Sequence, residues 1–227
     1  MKTIISKILA YLFAFSIILV ILITAIDLNS FNKNFYETEF KKINNADIIQ
    51  TDEQSLLDFT FVVLDYTQDK REDMVTYATI ANEYREVFNQ REKLHMEDVK
   101  ALYLNAISLR NLAAILIVLI MMIFIVFKIN FRLLAKAFIK TTWFALAIFA
   151  AILFYAILDF NNFWINFHYL FFDNDLWQLD PATSIMILMV PEQFFNDLVM
   201  RIIISFAIPL VICFLLAFKL RRNKVNE

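Results

Sequence analysis

Residues 112–158 read LAAILIVLIMMIFIVF, KINFRLLAKAFIK, TT, WFALAIFAAILFYAIL, and this stretch decides the fold. Two apolar runs, 112–127 and 143–158, flank a linker that carries Lys128, Arg132, Lys136 and Lys140 and no acid. Two membrane helices joined on the cytoplasmic side produce this pattern, because cytoplasmic loops concentrate Lys and Arg. Each 16-residue run spans about 24 Å as helix, short of a ~30 Å hydrocarbon core, so flanking residues have to snorkel or the bilayer has to thin.

Working outward, residues 8–26 form a first run of 19 residues and residues 202–218 a fourth run of 17. The first is longer than the usual 7–15-residue core of a secretory signal, and Thr24-Ala25-Ile26-Asp27 is not a small-residue cleavage site, so a retained anchor is expected. The composition agrees: 60% of the chain is hydrophobic and 19% charged, against about 45–50% and 25% in soluble domains. There are 25 Phe and no Gly. Without glycine there is no phosphate-cradling loop, no dinucleotide fingerprint, no nucleophile elbow and no GxxxG helix pair. The seams between spans are therefore expected to be loose and greasy, suited to acyl chains, with Ala145, Ala147, Ala150 and Ala151 allowing local contact. The single Cys213 sits in an apolar run and reads as core.

The charges orient the chain. Lys2 and Lys7, the four linker cations, and Lys219, Arg221, Arg222 and Lys224 place ten bases on one side against Glu227 alone. The remaining 11 bases and 22 acids lie in the two long connections. Both termini are thus expected in the cytoplasm and both connections outside. The expected fold is an all-α polytopic membrane protein with four transmembrane helices and a membrane-apposed extracytoplasmic segment. Its parts are a first helix (1–27), an extracytoplasmic segment (28–110), a helix pair with a basic loop (111–158), an aromatic interfacial segment (159–200), and a fourth helix with a basic tail (201–227).

The first outer segment contains helix-like stretches. Thr51-Asp52-Glu53-Gln54 reads as a capping box opening a helix with apolar Leu56, Leu57, Phe59, Val63 and Leu64. A second helix is expected over 84–100. The segment looks too interrupted for a large core of its own and is expected on the membrane face. In the second outer segment Phe160, Phe163, Trp164, Phe167 and Phe171 recur at helical spacing, and Pro181 and Pro191 interrupt the path. Aromatics favour the headgroup level, so an interfacial or re-entrant element is expected.

The two histidines both fall in outer segments. His95 has Glu92 three residues before it and Asp98 three after, positions that share a helix face, and a carboxylate that orients an imidazole is a recurrent catalytic device. His168 lies among Asn166-Phe167-His168-Tyr169-Leu170-Phe171-Phe172. Taken singly, each has a plain reading: an interfacial ring for His168 and a solvated helix residue for His95. Arg110 either snorkels at the end of the second span or faces a polar cavity. Asp159 and Arg201 read as helix ends. There is no HExxH, and two histidines with scattered carboxylates make no ligand pattern, so neither a metal nor a cofactor is expected.

Arg91-Glu92, His95-Met96 and Asp98-Val99-Lys100 ahead of the second span, with Phe167-His168, Phe171-Phe172, Trp177, Pro191 and Phe194-Phe195 between the third and fourth, resemble the signatures of the lipoprotein intramolecular transacylase family of low-GC Gram-positive bacteria. The resemblance covers nearly the whole chain. It implies an acyltransferase of the cell membrane, acting on diacylglyceryl-modified lipoproteins among membrane lipids, without nucleic acid. The implied reaction moves an acyl chain from the glyceryl sn-2 ester to the α-amine of the N-terminal Cys, giving the lyso form. The family's functional histidines map to His168 and His95, with Arg91, Glu92, Asp98, Arg110, Tyr169 and Trp177 as supporting or substrate-binding candidates.

The chemistry suits an imidazole. An α-amine of pKa 7.7–8.0 is only roughly 10–15% free at pH 7, and a neutral imidazole can take its proton and later return it to the leaving glyceryl oxygen. Nucleophile and ester share one molecule, so orientation supplies much of the catalysis without an acyl-enzyme. Ser30, Thr183 and Ser184 keep an acyl-enzyme route open, and a protonated His95 or the Trp177 indole are the candidate oxyanion donors. A straight helix from His95 to Lys128 would measure about 50 Å, so joint action of the histidines calls for a break, tilt or fold-back near 96–105. Two other classes compete: a non-enzymatic scaffold or sensor binding a partner through the outer segments, and a membrane-surface metallohydrolase.

Overall fold

A computed structural model describes residues 2–222. The side chain of Lys2, together with Lys224 and Glu227 of the charge count, lies outside the described residues. In chain order the elements are α1 (Lys2–Ser30), α2 (Lys33–Lys42), α3 (Asn45–Ile49), α4 (Glu53–Thr67), β1 (Tyr77–Ile80), β2 (Glu83–Glu86), α5 (Gln90–Val126), α6 (Arg132–Leu158), α7 (Phe160–Phe171), α8 (Ile185–Met189) and α9 (Glu192–Arg222). Helices α1, α5, α6 and α9 are each long and apolar enough to cross a membrane. The chain is a mostly helical, multi-pass membrane protein. It divides into two units, one of Met1–Ile26, Ile107–Ile165 and Ile202–Glu227, the other of Asp27–Ala106 and Asn166–Arg201.

The first unit holds the apolar runs. Its core joins Ala10, Phe13, Ala14 and Ile18 of α1, Ile120 and Phe124 of α5, Leu134, Ala135, Phe138 and Ile139 of α6, and Phe206 and Leu210 of α9. Ala10 and Ala14, one turn apart, are fully buried, so small side chains do make close seams, but at other places than expected. Ala147, Ala150 and Ala151 are exposed, and only Ala145 packs partly against this core. The basic linker is also not a loop through residue 140. From Arg132 on it is already α6, because Leu134, Ala135, Phe138 and Ile139 recur at 3–4-residue spacing and bury one face while Lys136 and Lys140 point out.

Glycine is missing where helix ends usually need it. Gln50, Asp69 and Lys128 take positive φ (61°, 59° and 50°) at the ends of α3, α4 and α5. Each end closes with the paired bonds of a Schellman motif: Thr51 N to Ala46 O, Lys70 N to Asp65 O, and Ile129 N to Phe124 O, 2.9–3.0 Å. A side chain in this conformation costs on the order of 1 kcal/mol more than glycine, so packing and hydrogen bonds of the motif hold these turns.

The second unit is not all α and has its own core, correcting two expectations. β1 and β2 form an antiparallel hairpin with Ala78 opposite Arg85 and Ile80 opposite Glu83. Its two-residue turn, Ala81-Asn82, has both φ values positive, as a type I′ turn requires. Ala78 and Ile80 point into a core built from Phe35, Tyr36 and Phe40 of α2, Leu56, Phe59 and Leu64 of α4, Val87, Phe88, and Ile185, Met189 and Phe194. Phe194, fully buried, packs its ring against those of Phe35, Tyr36 and Phe40 at 5.1–5.5 Å. Thus residues on both sides of the intervening membrane spans share one core, a pairing that local sequence pattern cannot register. The expected helix over 84–100 begins only at Gln90, since residues 83–86 pair as β2. The α4 cap is Asp52, which accepts from Ser55 N at 2.9 Å, while the Thr51 hydroxyl instead donates to Thr79 O and ties the hairpin to α4.

Candidate active site

Helix α5 starts with a capping box that the reading of Thr51 overlooked. The Asn89 side chain accepts from Glu92 N (3.0 Å) and the Glu92 carboxylate accepts from Asn89 N (2.7 Å). The signal was the spacing Asn89-x-x-Glu92. Glu92 is fully buried, and its other oxygen accepts from the Ser184 hydroxyl (2.7 Å) and Met186 N (2.9 Å). It therefore does not orient His95. It fastens the first turn of α5 to the start of α8, and the Ser184 hydroxyl is committed to that joint.

The next turns of α5 grip the segment after α7. Arg91 donates to the carbonyls of Gln178 (3.2 Å) and Asp175 and pairs with the Asp175 carboxylate (3.4 Å). Asp98 accepts from the Asn174 amide (2.8 Å). The Asn174 carbonyl in turn accepts from the Trp177 indole (2.9 Å), and its side-chain oxygen accepts from Leu176 N. Asn174, which the sequence reading missed, is thus the node between α5 and Trp177. Its signal, an Asn in the polar stretch Asp173-Asn174-Asp175, is too ordinary to single out.

These bonds set the face that meets the histidines. Trp177 stacks on His168, centroids 4.7 Å apart and planes 26° apart, with Tyr169 edge-on to Trp177 at 5.2 Å. His168 is buried in the last turn of α7. Phe172 touches both imidazoles, 5.8 Å from His168 and 5.5 Å from His95. The two imidazole centroids lie 6.2 Å apart. The pair forms although α5 is unbroken through residues 96–105, so no break is needed there. Arg110 lies farther along α5, half-buried, and belongs to the first unit rather than to this group.

His95 precedes the apolar part of α5. Burial, with His168 alongside, pushes its imidazole down from 6.5 to about 4, against the opposing pull of Asp98. Its Nδ1 is buried without a hydrogen-bond partner, so no carboxylate orients it. At neutral pH His95 is uncharged, with one N–H to donate and one lone pair to accept. The Trp177 indole, the other candidate oxyanion donor, donates to the Asn174 carbonyl. Among the described residues no cluster of three metal-ligating side chains occurs.

The depressed value has a consequence for stability. Between about pH 4 and 6.5 the unfolded chain binds a proton at His95 that the folded chain does not. The stabilising contribution is therefore complete above about pH 6.5 and falls as the pH drops toward 4. Unfolding of the detergent-solubilised protein is expected at lower temperature at pH 5 than at pH 7, with His95→Gln flattening that slope. An unaltered slope would show that His95 binds its proton equally well in the folded and unfolded chain.

A multi-pass membrane fold with an imidazole pair held in a shell of aromatic rings defines the class. The family profile described as lipoprotein intramolecular transacylase Lit matches residues 11–195. The chain belongs to that family and is an acyltransferase. Solved structures of the membrane-integral transacylase Lit from Bacillus cereus are similar: one is 20% identical with a TM-score of 0.75, covering 95% of both chains. A variant of it with a histidine replaced by alanine is 18% identical with a TM-score of 0.74, covering 96% of this chain and 94% of that one. These likenesses are of fold. A comparison with curated proteins finds no match.

Proposed function

We propose that the protein converts the diacylglyceryl-Cys N-terminus of a lipoprotein to the lyso form, in the outer leaflet, with His168 as general base and acid. The Cys α-amine attacks the sn-2 ester carbonyl. His168 takes the proton that the nitrogen loses, the carbonyl carbon–oxygen bond to the glyceryl oxygen breaks, and the proton passes to that oxygen. The products are an amide on the Cys and a free sn-2 hydroxyl. His95, neutral, supplies the second polar group, donating its N–H to the tetrahedral oxygen or accepting a proton on the free lone pair.

The observation that carries this reading is the 6.2 Å between the imidazoles, a gap that one tetrahedral centre bridges. The placement of bases in the termini and the 128–140 stretch supports cytoplasmic termini and an outward-facing site. The Ser184 hydroxyl is buried and donates to Glu92, which speaks against it as a nucleophile, while Ser30 and Thr183 keep the acyl-enzyme route open. The test is expression in a host whose lipoproteins keep a free diacylglyceryl-Cys amine. Mass spectrometry of a lipoprotein N-terminus is expected to show one acyl group moved to nitrogen at unchanged total mass. A free amine beside well-folded protein would refute the reading and leave a scaffold that binds a partner.

A further inference from the structure

The sequence points to Trp177 for its indole N–H, as an oxyanion donor. The fold commits that N–H elsewhere, to the Asn174 carbonyl at 2.9 Å. What Trp177 offers His168 is the face of its ring. The indole stacks on the imidazole with centroids 4.7 Å apart and planes 26° apart. Phe172 lies farther from the same imidazole, 5.8 Å away and tilted by 34°. The chain on both sides of Trp177 is held. Before it, the Asn174 amide donates to Asp98 of α5 (2.8 Å), and Asn174 Oδ1 accepts from Leu176 N (3.0 Å). After it, Arg91 of α5 donates to the Gln178 carbonyl (3.2 Å). Tyr169 braces the indole edge-on at 5.2 Å.

His168 is only 6% exposed. A charge placed on it loses most of its hydration, so a group that stabilises the charge weighs heavily on the reaction. A neutral imidazole gains dispersion from a stacked indole. An imidazolium gains in addition the attraction of the ring's negative face, which acts within about 6 Å of the centroid and is strongest for Trp and when desolvated. Two charged side chains of α5 near the stack are engaged elsewhere, Asp98 with Asn174 and Arg91 with Asp175, while His95 lies 6.2 Å from His168. We propose that Trp177 stabilises the positive charge that His168 carries while it holds the proton of the attacking amine. It is a positioning residue that acts through His168, and the role rests on the reading of His168 as general base. The charge exists only while the proton is in transit, so its stabilisation lowers the barrier without tightening the binding of substrate.

The test varies the ring face while keeping its shape. The full chain is produced with tryptophan or with monofluoro-, difluoro- or trifluorotryptophan and purified in detergent, since fluorine draws electron density from the ring face and barely alters its size. Turnover of a synthetic diacylglyceryl-Cys peptide is followed by mass spectrometry of the N-acyl product. The maximal rate is expected to fall stepwise along the series, by about tenfold in all, at constant KM. Trp143 and Trp164 are fluorinated as well. The series is therefore repeated in Trp177→Phe, where the rate is expected to start about threefold lower and not to vary with fluorine. A flat series in the unsubstituted chain, or an equal fluorine dependence in Trp177→Phe, overturns the role. So does a series that moves KM alone, the mark of a binding or packing contribution. His168→Gln separates the two readings. A folded glutamine variant with full activity overturns the general-base reading and this role with it, whereas an inactive one beside a flat series overturns this role alone.

Discussion

Replacing His168 with alanine or glutamine is expected to lower acyl transfer by roughly 10²–10⁴-fold, the usual contribution of a positioned acid–base group. The amine at neutral pH is largely protonated, and the leaving alkoxide needs a proton at the moment the ester bond breaks, so the reaction loses both services together. The readout is the proportion of N-acylated lipoprotein by mass spectrometry, with the unfolding temperature recorded in parallel. His168→Gln keeps a polar group against Trp177 and separates lost chemistry from lost packing. Full activity in a folded glutamine variant would remove His168 from the mechanism. His95→Gln is the informative companion, since a neutral donor can be replaced in part by an amide. A milder loss than at His168 fits an oxyanion donor, and an equal loss fits a second proton carrier.

The second large effect falls on stability. Glu92→Ala is expected to cost about 3–5 kcal/mol, because it leaves Asn89 N, the Ser184 hydroxyl and Met186 N without their buried acceptor. Unfolding of the purified variant measures it. Glu92→Gln retains one carbonyl-type oxygen for Ser184 and Met186 but turns an N–H₂ toward Asn89 N, so an intermediate loss is expected. A cost below about 1 kcal/mol for Glu92→Ala would mean that water replaces the carboxylate and that the α5–α8 joint is not fastened there. Because this joint lies one turn from His95, the alanine variant is also expected to lose activity in excess of its loss of folded protein.

The membrane spans were legible because they are local. An apolar run of 16 to 19 residues and the sign of its flanking charge need no tertiary information, and four such runs match the four long apolar helices. The helix ends were less legible. The basic stretch after Lys128 looked like a loop until its apolar positions were seen to share a buried face. The hairpin at 77–86 was hidden because Ala81-Asn82 does the work of a glycine turn without glycine, and its strands are only four residues each.

The sequence by itself determined a multi-pass membrane protein of the transacylase family, with His95 and His168 as candidates and no glycine for phosphate or nucleophile turns. The tertiary structure decided what those candidates touch. Glu92 and Asp98, which share the face of His95 by spacing alone, are drawn off by Ser184 and Asn174, residues 92 and 76 positions away. His95 lies beside His168 with its Nδ1 unpartnered, and Trp177 is stacked on His168 by a segment that α5 holds. Periodicity reports which side of a helix a residue occupies. It carries no information about which distant polar group will satisfy a buried carboxylate, and that competition for partners decided the contacts.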